Sequence, residues 1–171
     1  MLRTLIITFA LSIIGSHSHA ASVTTVSSVD LARYLGKWYE IARYPNRFQN
    51  DCIRNTSAEY SLKSNGKIKV INRCTEADGS ENKATGRAYV AEGTQNAQLR
   101  VSFFWPFYGD YWIIDLDKDY QYAVVGTPNR EYLWILSRTP QLPQPLLQQA
   151  QKNILQQGFD LNKLIYTPQQ Q

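Results

Sequence analysis

From residue 37 to residue 138 apolar and polar positions alternate with a period of two, and Gly, Asn, Asp and Pro clusters interrupt the alternation every few residues. The first run, residues 37–44, sets Trp38, Glu40, Ala42 and Tyr44 on one face and Tyr39, Ile41 and Arg43 on the other. In residues 56–62, Ala58, Tyr60 and Leu62 share a face. The Ser64-Asn65-Gly66 turn then leads into residues 67–74, where Ile68, Val70 and Asn72 keep step. Further strands are predicted at 84–91, 97–104, 111–116, 120–126 and 131–138, with Leu99, Val101 and Phe103 aligned in the second of these. The connections at 92–96, 105–109, 117–119 and 127–130 are short, and those at 45–55 and 75–83 are longer and polar. Eight short strands in this rhythm predict an all-β chain, an antiparallel up-and-down sheet that removes its edges by closing into a barrel.

The pattern changes at both ends. Residues 30–35 read as one helical turn capped by Asp30, with Gly36 releasing the chain into the first strand. Residues 143–157 carry Leu146, Leu147, Ala150, Ile154 and Leu155 at helical spacing, with prolines at the start and Gly158 at the end. Residues 159–166 are predicted to add a last short strand, and 167–171 a disordered polar tail. Residues 1–20 have a basic start, an apolar run too short to span a bilayer and a small-residue Ser18-His19-Ala20 site. They read as a secretory signal, leaving 21–171 as a single domain with its barrel at 37–138 and its helix at 143–157.

Composition narrows the chemistry. The chain has 171 residues and a formal net charge of +4, and its basic residues are scattered, which argues against nucleic-acid binding. Its 2 histidines, His17 and His19, both fall in the predicted signal, so serine–histidine or cysteine–histidine catalysis and histidine-ligated metals or haem are excluded from the exported chain. No metal site and no cofactor are expected. The 2 cysteines, Cys52 and Cys74, predict a disulfide in an exported protein, tying the 45–55 loop to the end of the strand at 67–74. No cysteine lies near the predicted cleavage site, so a periplasmic or secreted protein without a lipid anchor is expected, with at most peripheral association with the outer membrane.

Gly36-Lys37-Trp38-Tyr39-Glu40 after a short helical turn resembles the first signature of the lipocalin family. The run from Tyr34 to Tyr44 is particularly similar to the bacterial Blc type and to apolipoprotein D. The acidic-tyrosine turn Asp115-Leu116-Asp117-Lys118-Asp119-Tyr120 and the run Trp134-Ile135-Leu136-Ser137-Arg138-Thr139-Pro140 resemble the second and third signatures. The resemblance implies an eight-stranded lipocalin barrel with a C-terminal α-helix, closed where Arg138 lies across Trp38, with Gly36 beside them as a structural residue. It implies a cavity for one small apolar ligand, a fatty acid or lysophospholipid. With Trp38 and Arg138 as phase markers, the expected wall is Glu40, Ala42, Tyr44, Tyr132, Trp134 and Leu136, joined by Tyr60, Val70, Tyr89, Val101, Phe103 and Trp112. The loops 45–55, 75–83, 105–109 and 127–130 would rim the mouth. Trp105, Phe107 and Tyr108 there either contact a membrane or a second copy of the chain, or fold back as a lid. The expected function is carriage of the ligand. An interaction module built on the aromatic loop, or an enzyme on the same fold, are the other readings.

Overall fold

The computed structural model describes residues 22–170; the predicted signal, residues 1–20, lies outside them. Residues 22–30 run under one end of the molecule, where the Val26 and Val29 amides donate to the Ile113 and Gln95 carbonyls at 2.9 Å each. The helical turn α1 (Leu31–Tyr34) follows, with the Asp30 side chain accepting from the Arg33 amide. The chain then forms β1 (Gly36–Arg43), β2 (Arg54–Leu62), β3 (Ile68–Thr75), β4 (Glu81–Val90), β5 (Gln98–Phe104), β6 (Phe107–Leu116), β7 (Tyr122–Gly126) and β8 (Leu133–Ser137). Helix α2 (Gln144–Gln156) and the short β9 (Ile165–Tyr166) complete it.

Each of the first seven strands pairs antiparallel with the next, and β1 pairs with both β2 and β8, which closes the barrel. Closure is uneven. β1 meets β2 only from Gly36 to Tyr39; farther up, its free edge takes β9 at Ala42 and Arg43. The closed end carries α1, and the open end carries the β1–β2, β3–β4, β5–β6 and β7–β8 connections.

There are two apolar cores. One fills the barrel around Trp38, Tyr60, Val70, Leu99, Ile113 and Val125. The other lies outside it, where Ala150 and Ile154 of α2 pack on Ile114, Val124, Leu133 and Ile135. This explains the fully buried run of β7: Val125 faces the barrel, Val124 faces the helix, and neither side reaches water.

The observed boundaries depart from the pattern at the open end. β4 starts at Glu81, inside the predicted 75–83 loop, because Asn82 and Lys83 pair with Cys74 and Arg73. Both faces are solvated there, so polar residues leave no alternation to read. The predicted 105–109 loop shrinks to a turn at Trp105–Pro106, since Phe104 and Phe107 already pair. Residues 167–170 of the tail predicted to be disordered are instead held in place. The Thr167 amide donates to the Ile41 carbonyl, the Asn55 amide donates to the Pro168 carbonyl, and Gln169 Nε2 bridges the Glu40 and Thr56 carbonyls at 2.8 Å each. Residues 167–170 thus fill the gap where β1 and β2 part.

Candidate functional site

The floor is built first. Trp38 is wholly buried, and its indole N–H donates to the Tyr34 carbonyl at 2.8 Å. The Arg138 guanidinium lies 3.7 Å from the centre of the indole ring and donates to the carbonyls of Leu35 and Lys37 at 3.0 Å, of Tyr34 at 3.2 Å, and of Arg33. One cation therefore stacks on the tryptophan and satisfies the carbonyls at the end of α1. Gly36 turns the chain between them at φ +93°, where a side chain would strain the backbone.

The phase of the wall follows from the strand register. Residues directly paired across antiparallel strands share a face. Trp38 pairs with Ala58, Glu40 with Leu136, Tyr60 with Val70, and Ala88 with Val101, and all belong to the inner face. Tyr132 stacks on Trp134 at 5.8 Å, toward the mouth. Phe103 lies over Gly86, where any Cβ would come within 2.8 Å of its ring, so the glycine seats the phenyl against the wall.

Four expected wall residues are on the outside. β1 carries a bulge at Ile41: Glu40 pairs with Leu136 but Ala42 already pairs with Ile135. The extra residue reverses the phase, so Ala42 and Tyr44 pack into the outer core and Arg43 points inward instead. Tyr89 pairs with Arg100 and is exposed, its ring set edge-on against Tyr108; the inner positions of β4 are the small Gly86 and Ala88. Trp112 pairs with Gly126 and packs against the outer core, leaving Tyr111 and Ile113 inside. In β4 and β6 the bulkier aromatic faces outward.

The sequence reading missed Arg43, Gln49, Tyr34 and Tyr111. Arg43 and Glu40 are both buried, with Arg43 Nε 3.4 Å from Glu40 Oε1. Gln49, in the turn of the β1–β2 loop, is the hub beside them. Its Nε2 donates to Glu40 Oε2 at 2.6 Å, and its Oε1 accepts from Asn46 Nδ2 at 2.8 Å and from the Trp134 indole at 3.0 Å. The Thr167 hydroxyl donates to Glu40 Oε1 at 2.5 Å. Burial pushes the Glu40 carboxyl above its ordinary range, against the opposing pull of Thr167, Gln49 and Arg43. The Cys52–Cys74 disulfide ties the same loop to β3, with 5.5 Å between the Cα atoms. Phe48 of this loop lies 5.8 Å from the Tyr132 ring.

The barrel is packed below and accessible above. Trp38, Tyr34, Val70, Ile113 and Val125 are buried to 2 % exposure or less. Ala58, Asn72, Val101, Tyr111 and Trp134, all inward-facing, keep partial exposure. At the mouth Phe104, Trp105 and Phe107 stand out at 76 %, 66 % and 70 % exposure. Phe104 and Phe107 stack on each other, so these rings form a projecting rim while Phe103 alone lies against the wall. Among the described residues no group of three or more His, Cys, Asp or Glu side chains is gathered as a metal would require.

A family model described as a lipocalin-like domain matches residues 29–169. The chain is 44% identical over 151 residues to the outer membrane lipoprotein Blc of Vibrio cholerae, covering 87% of this chain and 88% of that protein. It is 35% identical over 149 residues to apolipoprotein D of Bos taurus, covering 82% of this chain and 77% of that one. Among solved structures it resembles insecticyanin from the tobacco hornworm Manduca sexta with a TM-score of 0.70 at 22% identity, over 87% of this chain and 85% of that one, a likeness of fold alone.

Proposed function

Because this chain belongs to the lipocalin family, we propose that its barrel is a non-enzymatic carrier for one fatty acid or lysophospholipid, held for storage or transport in the bacterial envelope. The observation that carries this reading is the partial exposure of Ala58, Asn72, Val101 and Trp134, which face inward from a closed wall above a packed floor. An apolar, aromatic-lined space with few polar groups suits an acyl chain. The acyl chain lies along the partly exposed, inward-facing Ala58, Val101 and Tyr111. The head group sits higher, by Phe103, Tyr132, Trp134 and the Glu40–Arg43 pair, where a guanidinium is available to a carboxylate or phosphate.

The chemistry at hand supports carriage over catalysis. Residues 21–171 contain no histidine, and both cysteines are joined. Glu40 is engaged by Thr167, Gln49 and Arg43. The relative from Vibrio cholerae is named an outer membrane lipoprotein. Here the first cysteine is Cys52, which its bridge to Cys74 withdraws from lipid attachment. We therefore place the exported chain in the envelope in soluble form. The exposed Phe104, Trp105 and Phe107 provide its contact with a membrane surface during transfer. The same rim favours a second reading, pairing of two copies mouth to mouth.

Native mass spectrometry of the purified protein identifies the retained lipid. Titration with palmitate and with a lysophospholipid, followed by tryptophan fluorescence, tests the site. Saturable quenching near one equivalent is expected. No response to either ligand, together with a concentration-dependent increase in size, would replace the carrier with the pairing module.

A further inference from the structure

At the junction of floor and cavity three phenols meet. The Tyr34 and Tyr111 hydroxyls are 2.8 Å apart, and the Tyr60 and Tyr111 hydroxyls 2.9 Å apart. They come from α1, β2 and β6, three elements far apart in the chain. Tyr34 and Tyr60 are 1 % and 6 % exposed, while Tyr111, between them, keeps partial exposure. Among the described residues these two bonds are the only hydrogen bonds to the three hydroxyls. Each phenol has one proton to donate, and a row of three uses only two of them. Whichever way the row is oriented, one buried O–H is left without an acceptor. Burial raises the pKa of all three phenols, so they remain protonated donors at neutral pH. One pair of positions nearer the mouth, on the same inner face, Asn72 Oδ1 is buried with no hydrogen-bond partner. The deep half of the barrel interior therefore holds an unused donor and an unused acceptor, which a plain hydrocarbon tail cannot satisfy and a hydroxyl can.

We propose that the deep end of the cavity is a hydroxyl-recognising subsite, and that the preferred ligand is an acyl chain oxygenated near the end that enters first. This deepens the carrier reading and rests on it. Such selectivity has a physical basis: a site with unpaired buried polar groups discriminates against an analogue lacking the matching group more strongly than an apolar pocket discriminates by size.

The test compares palmitate with 16-hydroxypalmitate by calorimetric titration of the full exported chain. In the wild type the hydroxylated acid is expected to bind about tenfold more tightly, equivalent to about 1.4 kcal/mol. In the variant Tyr34→Phe/Tyr60→Phe/Tyr111→Phe the order is expected to reverse, because the hydroxyl then enters an apolar floor. Replacing all the partners of a buried network by apolar groups of the same shape is close to neutral for folding. Should that variant fail to fold, Asn72→Leu, which removes the unused acceptor, is expected to reduce the preference. Equal or weaker binding of the hydroxylated acid to the wild type would overturn the subsite and leave the carrier standing. Unchanged preference in a folded triple variant would also overturn it. Absence of saturable binding by both acids would overturn the carrier reading itself.

Discussion

Trp38 and Arg138 are about 100 residues apart in sequence and stacked in space, and neither has a substitute for its role. The indole fills the floor, and the guanidinium caps the end of α1. Trp38→Ala leaves a large void in a part of the barrel that cannot collapse, with an expected loss of about 3–5 kcal/mol, read as a lowered urea midpoint. The tyrosine row makes a second prediction at this scale. Burial raises Tyr34 and Tyr111 well above the ordinary phenol value and pushes Tyr60 up to about 12. Above pH ~10 the unfolded chain gives up protons that the folded chain retains, so stability is full below that pH and falls as pH rises beyond it. An absorbance titration of tyrosinate is expected to show these three phenols ionising only as the protein unfolds. Their ionisation in the native state at pH ~10 would contradict the buried row.

The elements divide the work between a rigid closed end and a loop-built mouth. The β1–β2 loop contributes Gln49 and Phe48 to the mouth, and the disulfide holds that loop to β3. Reduction of the bridge restores freedom to the chain between residues 22 positions apart, with an expected stability loss of about 2–4 kcal/mol in reversible unfolding. The C-terminal tail acts as a wedge between β1 and β2. Ending the chain at Tyr166 removes the Thr167 hydroxyl from Glu40 and the Gln169 bridge between the two strands. Each lost bond to a buried group is worth about 1 kcal/mol, so a loss of about 1–3 kcal/mol is expected. It should be accompanied by faster amide exchange at Asn55, whose N–H donates to Pro168. Unchanged exchange at Asn55 would mean that the tail does not hold this seam.

At the scale of the molecule, two carboxyls lie against folded surfaces instead of water. Glu40 sits in the barrel mouth. Asp115 sits under α2, accepting from Tyr122 and Asn153, and burial raises both above the ordinary carboxylate range. Over the pH range between their unfolded and folded values, the folded protein holds protons that the unfolded chain has released. Their contribution to stability is therefore complete below about pH 4 and is lost as pH rises through the raised values. Denaturant unfolding is expected to show stability declining from mildly acid to neutral pH relative to the paired variants Glu40→Gln and Asp115→Asn. A wild-type profile parallel to that of both variants would contradict the raised values.

The sequence by itself determined the barrel, because a period of two with regular turns admits few closed arrangements, and the helix, because its period differs from everything before it. It also determined the floor and the disulfide: Gly36, Trp38 and Arg138 stand in a recognisable order, and the chain has only two cysteines to join. Tertiary structure alone decided which side chains face the cavity. A single extra residue at Ile41 exchanges Ala42 and Tyr44 for Arg43, and no local pattern announces a bulge, since it is set by the pairing of β1 with a strand near the other end of the chain. The phase of β4 and β6 was hidden for a related reason, because both faces of those strands carry apolar residues, one toward the ligand space and one toward Tyr108 or the outer core. The tyrosine row joins residues 77 and 51 positions apart and the wedge of the tail joins residues more than a hundred apart, and both meet only once the barrel has closed.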